Sequence, residues 1–501
     1  MKARLRRIGS WIADRAGLEP IFRFLKEYKV PPELGRTKKG WFWVLGQALV
    51  FVFLAQVVTG TGLAMKYIPS PVHAWDSLQF LNNEVMWGGF VRALHYFGAS
   101  AMVVLVFAHM ARIVITGSYK FPRELNWITG VVLLFLVLAM AFTGQLLRWD
   151  HHGVATVDVA ASILGRFPLV GPWLMEIVLS GQTVGGATLS RFFALHVIVF
   201  PLLIVAMIGV HLYLALANGV SEPPKAGRPV DPATYRSWYE RHKEEGNTRF
   251  FPDVAWREVA FALLVYAVIF GLAFFLGPKG PGAPPDPTFT EQVPRPDWYF
   301  LWLYTLIWYK PAALDAVVLV WFPLLVFPAL MLLPLLFGTG ERAPSRRPWA
   351  VVAVGGAFVI WATLTAFGLR PHWIPNFDTD PVPAAMLAGA PPEVHAGAAV
   401  FYERGCQYCH VAYDRGGDYG PDLNQSVARL SREEMTVRIM MGIGNMPAYA
   451  HILSASEVDN VLAYIYWAAE RRARPAEERD APGASDAAER EAAEPGREGP
   501  P

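Results

Sequence analysis

The chain has 501 residues, of which 53% are hydrophobic and only 17% charged, and its mean hydropathy is positive. An average soluble domain carries about 25% charged residues, so composition favours a polytopic membrane protein over a soluble one. A formal net charge of +2 gives no footing for nucleic-acid binding, and none is expected.

Residues 1–40 lack the apolar core of a secretory signal. They are basic instead, with Arg4, Arg6, Arg7, Lys26, Lys29, Lys38 and Lys39. Such a stretch is expected to stay cytoplasmic and to lie at the membrane interface through Trp11, Ile21, Phe22 and Leu25. Long apolar runs follow at 41–65, 91–115, 127–147, 192–217, 257–277, 312–337 and 349–368. Each suffices to cross a hydrocarbon core of about 30 Å. The aromatic stretch 297–309 is too short and is expected to form a helix at the interface.

Loop charge sets the orientation. Arg112 lies at the end of the second run, and Lys120 and Arg123 follow it. Lys225, Arg228, Arg236, Arg241, Lys243 and Arg249 follow the fourth, and Arg342, Arg346 and Arg347 the sixth. The intervening loops are poorer in Lys and Arg. The positive-inside tendency therefore places the N-terminus in the cytoplasm, and seven crossings place everything after Arg370 on the other side.

The second run holds His95 and His109, 14 residues apart, and the fourth holds His196 and His211, 15 apart. At 1.5 Å per residue each pair spans about 21 Å along one broad helix face. Two such helices facing each other would offer a histidine pair near each membrane surface, which suits two bis-histidine haems. A single intramembrane histidine is as readily a hydrogen-bonded bundle residue; four in matched pairs favour a metal, because an ionisable group there is costly without a partner. Glycines repeat the spacing: Gly46 and Gly60 in the first run, Gly130 and Gly144 in the third. A residue without Cβ permits close backbone approach to a haem edge, although glycine also serves plain helix packing. Arg92, Arg112 and Arg191 sit near the histidines and are candidates to pair with haem propionates, or simply to snorkel.

These spacings, with GSYKFPRELNWITG at 117–130, ATLSRFFALH at 187–196 and RPDWYF at 295–300, resemble the cytochrome b family of cytochrome bc complexes. Residues 41–220 resemble the chloroplast-type b6 form, and 221–368 its subunit IV. The resemblance implies that His95 and His196 hold a low-potential b haem on the outer side, and His109 and His211 a high-potential one on the cytoplasmic side. It also implies that PDWY, where the family has PEWY, lines a quinol-oxidation pocket. Asp297 would then accept a quinol proton, with Tyr299 as its pocket-lining partner; without the resemblance, Asp297 would read as a helix N-cap. Two departures stand out. In GQLLRWDHHGVATV, at 144–157, Arg148 replaces the usual proline and Gln145 the usual tyrosine, with His151 and His152 added. Val44 occupies the position of the cysteine that attaches the extra haem of chloroplast-type subunits, so no covalent haem is expected there.

Beyond a Pro-rich linker at 369–389, residues 390–470 contain both cysteines of the chain, in GCQYCH. CxxCH signals c-type haem attachment, with Cys406 and Cys409 as thioether sites and His410 as proximal ligand. Met446, in GIGNMPAYA, is the expected sixth ligand, with Met435, Met440 and Met441 as rivals. Residues 471–501 have no periodicity and are expected to be disordered.

The expected fold is all-α: a polytopic membrane protein with a four-helix haem-binding bundle, three further transmembrane helices and a small helical cytochrome c domain. The expected function is the b–c fusion subunit of a quinol:cytochrome c oxidoreductase in a bacterial inner membrane, with quinol as substrate and coupled proton translocation. Cofactors are two b haems and one c haem. Expected partners are a separate Rieske iron–sulfur protein, the quinone pool, a downstream cytochrome c or terminal oxidase, and a second copy of the chain. The alternatives are a non-bifurcating electron-transfer protein and a non-catalytic haem sensor.

Overall fold

A computed structural model describes residues 11, 14–17, 19–181, 183–285, 295–309, 314, 316–369, 379–417, 419–442, 446, 448–450 and 452–473. The first ten residues, residues 370–378 of the Pro-rich linker and residues 474–501 of the tail expected to be disordered fall outside them. The chain divides into two units, one holding the membrane-length helices and the other residues 368–501 with a short segment at 285–295.

Among the described residues of the first unit, seven helices are long and apolar enough to cross a membrane. They are α1 (Leu45–Ala64), α2 (Gly88–Ile115), α3 (Glu124–Leu146), α4 (Gly186–Asn218), α5 (Ala255–Leu276), α6 (Val317–Phe337) and α7 (Pro348–Gly368). They match the seven apolar runs, although α4 starts six residues earlier than its hydropathy suggested. The aromatic stretch forms a 3₁₀ turn, Trp298–Phe300, leading into the short helix Leu301–Tyr309.

α1 packs along α2 and α3 along α4, while α5 crosses both α1 and α2 and α6 lies against α3. The bundle centre is an apolar plug that includes Ala48, Val52, Met102, Val106, Leu134, Val137 and Ile204. Outward-facing side chains such as Leu264, Phe275 and Phe358 are exposed, as a hydrocarbon solvent requires. Backbone polarity is satisfied within each helix.

Buried charge ties the connecting loops together. Arg123 donates to Tyr235 Oη at 2.9 Å, Tyr235 donates to Glu222 at 2.8 Å, and Arg342 pairs with Glu222. The expected interfacial segment contains a helix, Glu19–Glu27, and then a two-residue strand β1 (Lys29–Val30) antiparallel to β2 (Thr248–Arg249). Arg257 of α5 anchors this region by donating to the carbonyls of Leu34, Gly35 and Thr37.

The second unit is built on α8 (Pro392–Glu403), α9 (Arg432–Met441) and α10 (Ala455–Ala473). α8 lies close on α10 because Gly397 faces the Asn460 carbonyl, where any Cβ would collide. Phe401 and Tyr464 pack beside that contact with ring centroids 5.3 Å apart and planes tilted by 58°.

Candidate functional site

The unequal histidine spacings are reconciled by a defect in α4. Residues Leu195–Val199 form a π-helical turn, closed by Phe200 N–H donating to the Leu195 carbonyl. Pro201 follows and has no N–H to offer Val197, so the regular ladder is broken there. A π-turn absorbs one extra residue. The 15-residue step from His196 to His211 thus has the phase of the 14-residue step in α2. The same sequence signal, a proline two residues past the π-turn, recurs after Val317–Trp321 in α6.

Two cavities result. One is lined by His109, His211, Gly46 and Gly130, and the other by His95, His196, Gly60 and Gly144. Met102, Val137 and Ile204 line both and form the partition between them. The His95 and His196 rings lie 6.2 Å apart between centroids, with planes at 76°. With metal–imidazole bonds of about 2.0 Å and ring nitrogens about 1.1 Å from their centroids, an iron between them needs roughly that separation.

Each glycine of the ruler faces one histidine. A Cβ at Gly60 would lie 3.0 Å from His95 Cε1, and one at Gly46 3.1 Å from His109 Cε1. At Gly144 it would lie 2.6 Å from His196 Cε1, and at Gly130 3.5 Å from His211 Cε1. The glycines therefore make room for the imidazoles themselves, where the sequence suggested a haem edge. Threonines next to three of them reach the rings: Thr59, Thr129 and Thr143 each place Oγ1 within 2.9–3.1 Å of the Nδ1 of His95, His211 and His196. Sequence reading overlooked these threonines, yet each directly precedes a ruler glycine. Paired Nε2-directed imidazoles, room for their rings and an apolar lining together fit a haem in each cavity.

Of the three arginines, Arg92 and Arg112 each line one cavity. Arg92 is held by Asn82 Oδ1 at 2.6 Å and by the Lys279 and Gly280 carbonyls. Arg112 lies over the Trp43 ring at 5.0 Å. Arg191 lines neither cavity and donates to the Ile177 carbonyl.

The His95/His196 cavity extends to Tyr96, Arg148, Asp297 and Tyr299. Asp297 is buried and precedes the 3₁₀ turn, but its side chain makes no capping bond. Its carboxylate accepts from Arg148 Nη1 at 3.0 Å and from Tyr299 Oη at 3.2 Å. Burial and the adjacent carboxylate push the Tyr299 phenol well up, so it is a donor at neutral pH. Arg148 also lies 3.6 Å from Asp150, whose carboxylate caps the helix His151–Leu164 through Gly153 N–H and accepts from Gly282 N–H at 3.0 Å. Gln145 donates to Thr156 at 3.1 Å. Val44 is buried at the start of α1.

In the second unit, left-handed Gly405 opens the one-turn helix Cys406–Cys409. Neither thiol is in a disulfide. Burial pushes the Cys406 and Cys409 thiols up to about 12 and about 11. His410 is extended, with Nδ1 2.8 Å from the Pro421 carbonyl, which directs Nε2 away as a metal-ligating imidazole requires. Met446 is partly buried against the domain core. Met435 is fully buried within that core and Met441 exposed. A pair of free cysteines beside an oriented histidine fits a thioether-linked haem.

Two bis-histidine cavities in a four-helix bundle, together with a CxxCH domain, define a membrane cytochrome with b-type and c-type haem sites. Residues 100–284 match the family model "Cytochrome b(N-terminal)/b6/petB", and 392–465 match "Cytochrome C oxidase, cbb3-type, subunit III". The menaquinol:cytochrome c reductase cytochrome b subunit of Geobacillus thermodenitrificans is 34% identical over 223 residues, 44% of this chain and 99% of that protein. Cytochrome b6 of Heliobacterium mobile is 37% identical over 215 residues, 43% of this chain and 99% of that one. A solved hyperthermophilic respiratory Complex III chain superposes with a TM-score of 0.60 at 28% identity, covering 72% of this chain and 91% of that chain. The chain belongs to the cytochrome b/b6 family.

Proposed function

We propose that this chain is the b–c fusion subunit of a quinol:cytochrome c oxidoreductase, oxidising quinol beside Asp297 at the outer membrane surface. The reading rests on one juxtaposition: the buried Asp297–Tyr299 pair opens into the same cavity as His95 and His196. Quinol oxidation releases two protons and two electrons, so it needs a base and a one-electron carrier in one place.

His95 with His196, and His109 with His211, would each hold a b-type haem. Cys406, Cys409, His410 and Met446 would hold the c-type haem. When bound, haem supplies reversible one-electron transfer, which lets one quinol electron cross the membrane with proton translocation while a separate Rieske protein takes the other toward the c domain. Asp297 accepts the proton of a quinol hydroxyl. Tyr299 and Arg148 hold its two oxygens, fixing the carboxylate toward the cavity. Arg92 and Arg112, each lining one cavity, would pair with haem propionates. The basic loops favour a cytoplasmic N-terminus and an outer c domain. Relatives named as menaquinol:cytochrome c reductase subunits favour menaquinol as substrate. The family resemblance supports a homodimer, and a downstream cytochrome c or oxidase would take the electron from the c domain.

Steady-state quinol:cytochrome c reductase activity of the purified complex tests this. Asp297→Asn is expected to lower the rate by about 10²-fold or more, the scale of a general base, with haem spectra intact. An unchanged rate contradicts the assignment.

A further inference from the structure

Three of the four membrane histidines are hydrogen-bonded at Nδ1 by a threonine, and one is not. Thr59 Oγ1 lies 3.0 Å from His95 Nδ1, Thr143 Oγ1 3.1 Å from His196 Nδ1, and Thr129 Oγ1 2.9 Å from His211 Nδ1. Each hydroxyl donates its single proton to carbonyls one turn back, those of Ala55, Ala139 and Leu125 among them. An imidazole that gives its Nε2 lone pair to a metal carries its proton on Nδ1, and each hydroxyl then accepts from that N–H. His109 Nδ1 is buried and has no hydrogen-bond partner among the described residues. The residue before its glycine is Leu45 rather than threonine, and α1 begins at that residue. There is no earlier turn of α1 to supply a carbonyl.

We propose that this difference sets the order of the two membrane haem potentials, and that Leu45 is the residue that raises the His109/His211 site above the His95/His196 site. The inference rests on the haem placement proposed above. An acceptor on the ring N–H makes the imidazole a stronger donor to iron. A stronger donor favours ferric over ferrous haem, and so lowers the reduction potential. The His95/His196 site has two such bonds and the His109/His211 site one. Each cavity also has one arginine of α2, Arg92 or Arg112, so that contribution is common to both. An electron passing from the first site to the second then runs downhill away from the Asp297 end of the bundle.

Potentiometric titration of the visible b-type absorbance, on the full-length protein in its complex, tests this. Leu45→Thr supplies His109 with the missing acceptor. It is expected to move the higher b midpoint down by about tenfold in the one-electron equilibrium, about 59 mV, with haem content unchanged. Thr143→Val removes an acceptor from His196 and is expected to move the lower midpoint up by a similar factor, so both variants narrow the gap. Thr129→Val, which leaves the other site with no acceptor, is expected to raise the higher midpoint further. It serves as the second probe of that site if Leu45→Thr loses haem. Unchanged midpoints in haem-replete variants overturn the proposal. Loss of haem from all three would make these positions structural and also contradict it. Fewer than two b-type signals in the unsubstituted protein would instead remove the haem placement itself, which separates the two failures.

Discussion

Arg148 Nη1 lies 3.0 Å from Asp297 Oδ1, and the two side chains are only 12% and 6% exposed. The carboxylate proposed as quinol's proton acceptor is therefore half of a largely buried ion pair. The partner is the residue that stands where the family has proline. Arg148 therefore fixes one carboxylate oxygen beside the cavity. Arg148→Gln removes that anchor and is expected to lower quinol:cytochrome c reductase activity with haem spectra intact. An unchanged rate would mean that Arg148 serves only the fold. Removing one partner of a buried pair costs about 3–5 kcal/mol, so the thermal midpoint is expected to fall as well.

The glycine–histidine contacts make a graded prediction. A Cβ at Gly144 would sit 2.6 Å from His196 Cε1, closer than real contacts allow, whereas one at Gly130 would sit at an ordinary 3.5 Å from His211. Gly144→Ala is expected to displace the ring and lose the b haem of that cavity. Gly130→Ala is expected to retain its haem with a destabilisation of about 1–3 kcal/mol at most. Haem content per polypeptide, read from the b-type absorbance, checks the order of the two.

Much of this arrangement is legible in the sequence because it is local. Hydropathy located the seven spans, and the spacing of His95, His109, His196 and His211 located both cavities. The features that escaped are non-local or depend on backbone defects. The π-turn at Leu195–Val199 was signalled only by a 15-residue step and Pro201. The Arg148–Asp297 pair joins residues 149 positions apart, which no periodicity reveals. The β1–β2 ribbon links residue 29 to residue 249 and is too short to leave an alternating pattern. The Thr59, Thr129 and Thr143 bonds escaped because a threonine in a membrane helix ordinarily satisfies itself against its own backbone.

In the c domain, Met446 and Met435 are expected to separate by phenotype. Thioether ligation raises a haem potential, so Met446→Ala is expected to lower the c-type midpoint and to open the iron to added imidazole. Met435 is 4% exposed within the core. Met435→Ala is expected to cost about 2–5 kcal/mol of stability while leaving that midpoint in place. The reverse pattern would make Met435 the ligand.

The domain's own stability has a checkable local determinant. Ser431 Oγ accepts from Glu434 N–H at 3.1 Å, and the Glu434 carboxylate accepts from Ser431 N–H at 2.8 Å, closing a capping box at the start of α9. Ser431→Ala is expected to cost about 1 kcal/mol. Thermal unfolding followed at the c-type absorbance would show this as a lower midpoint with an unchanged starting spectrum.

The most direct measurement is a redox-titrated visible spectrum of the purified full-length protein. Two b-type components with separate midpoints and one c-type component are expected, the c haem surviving denaturation because thioethers hold it to Cys406 and Cys409. A single b-type component, or a c-type signal extracted with the non-covalent haem, would contradict the assignment of His95, His109, His196, His211 and the GCQYCH motif as haem sites.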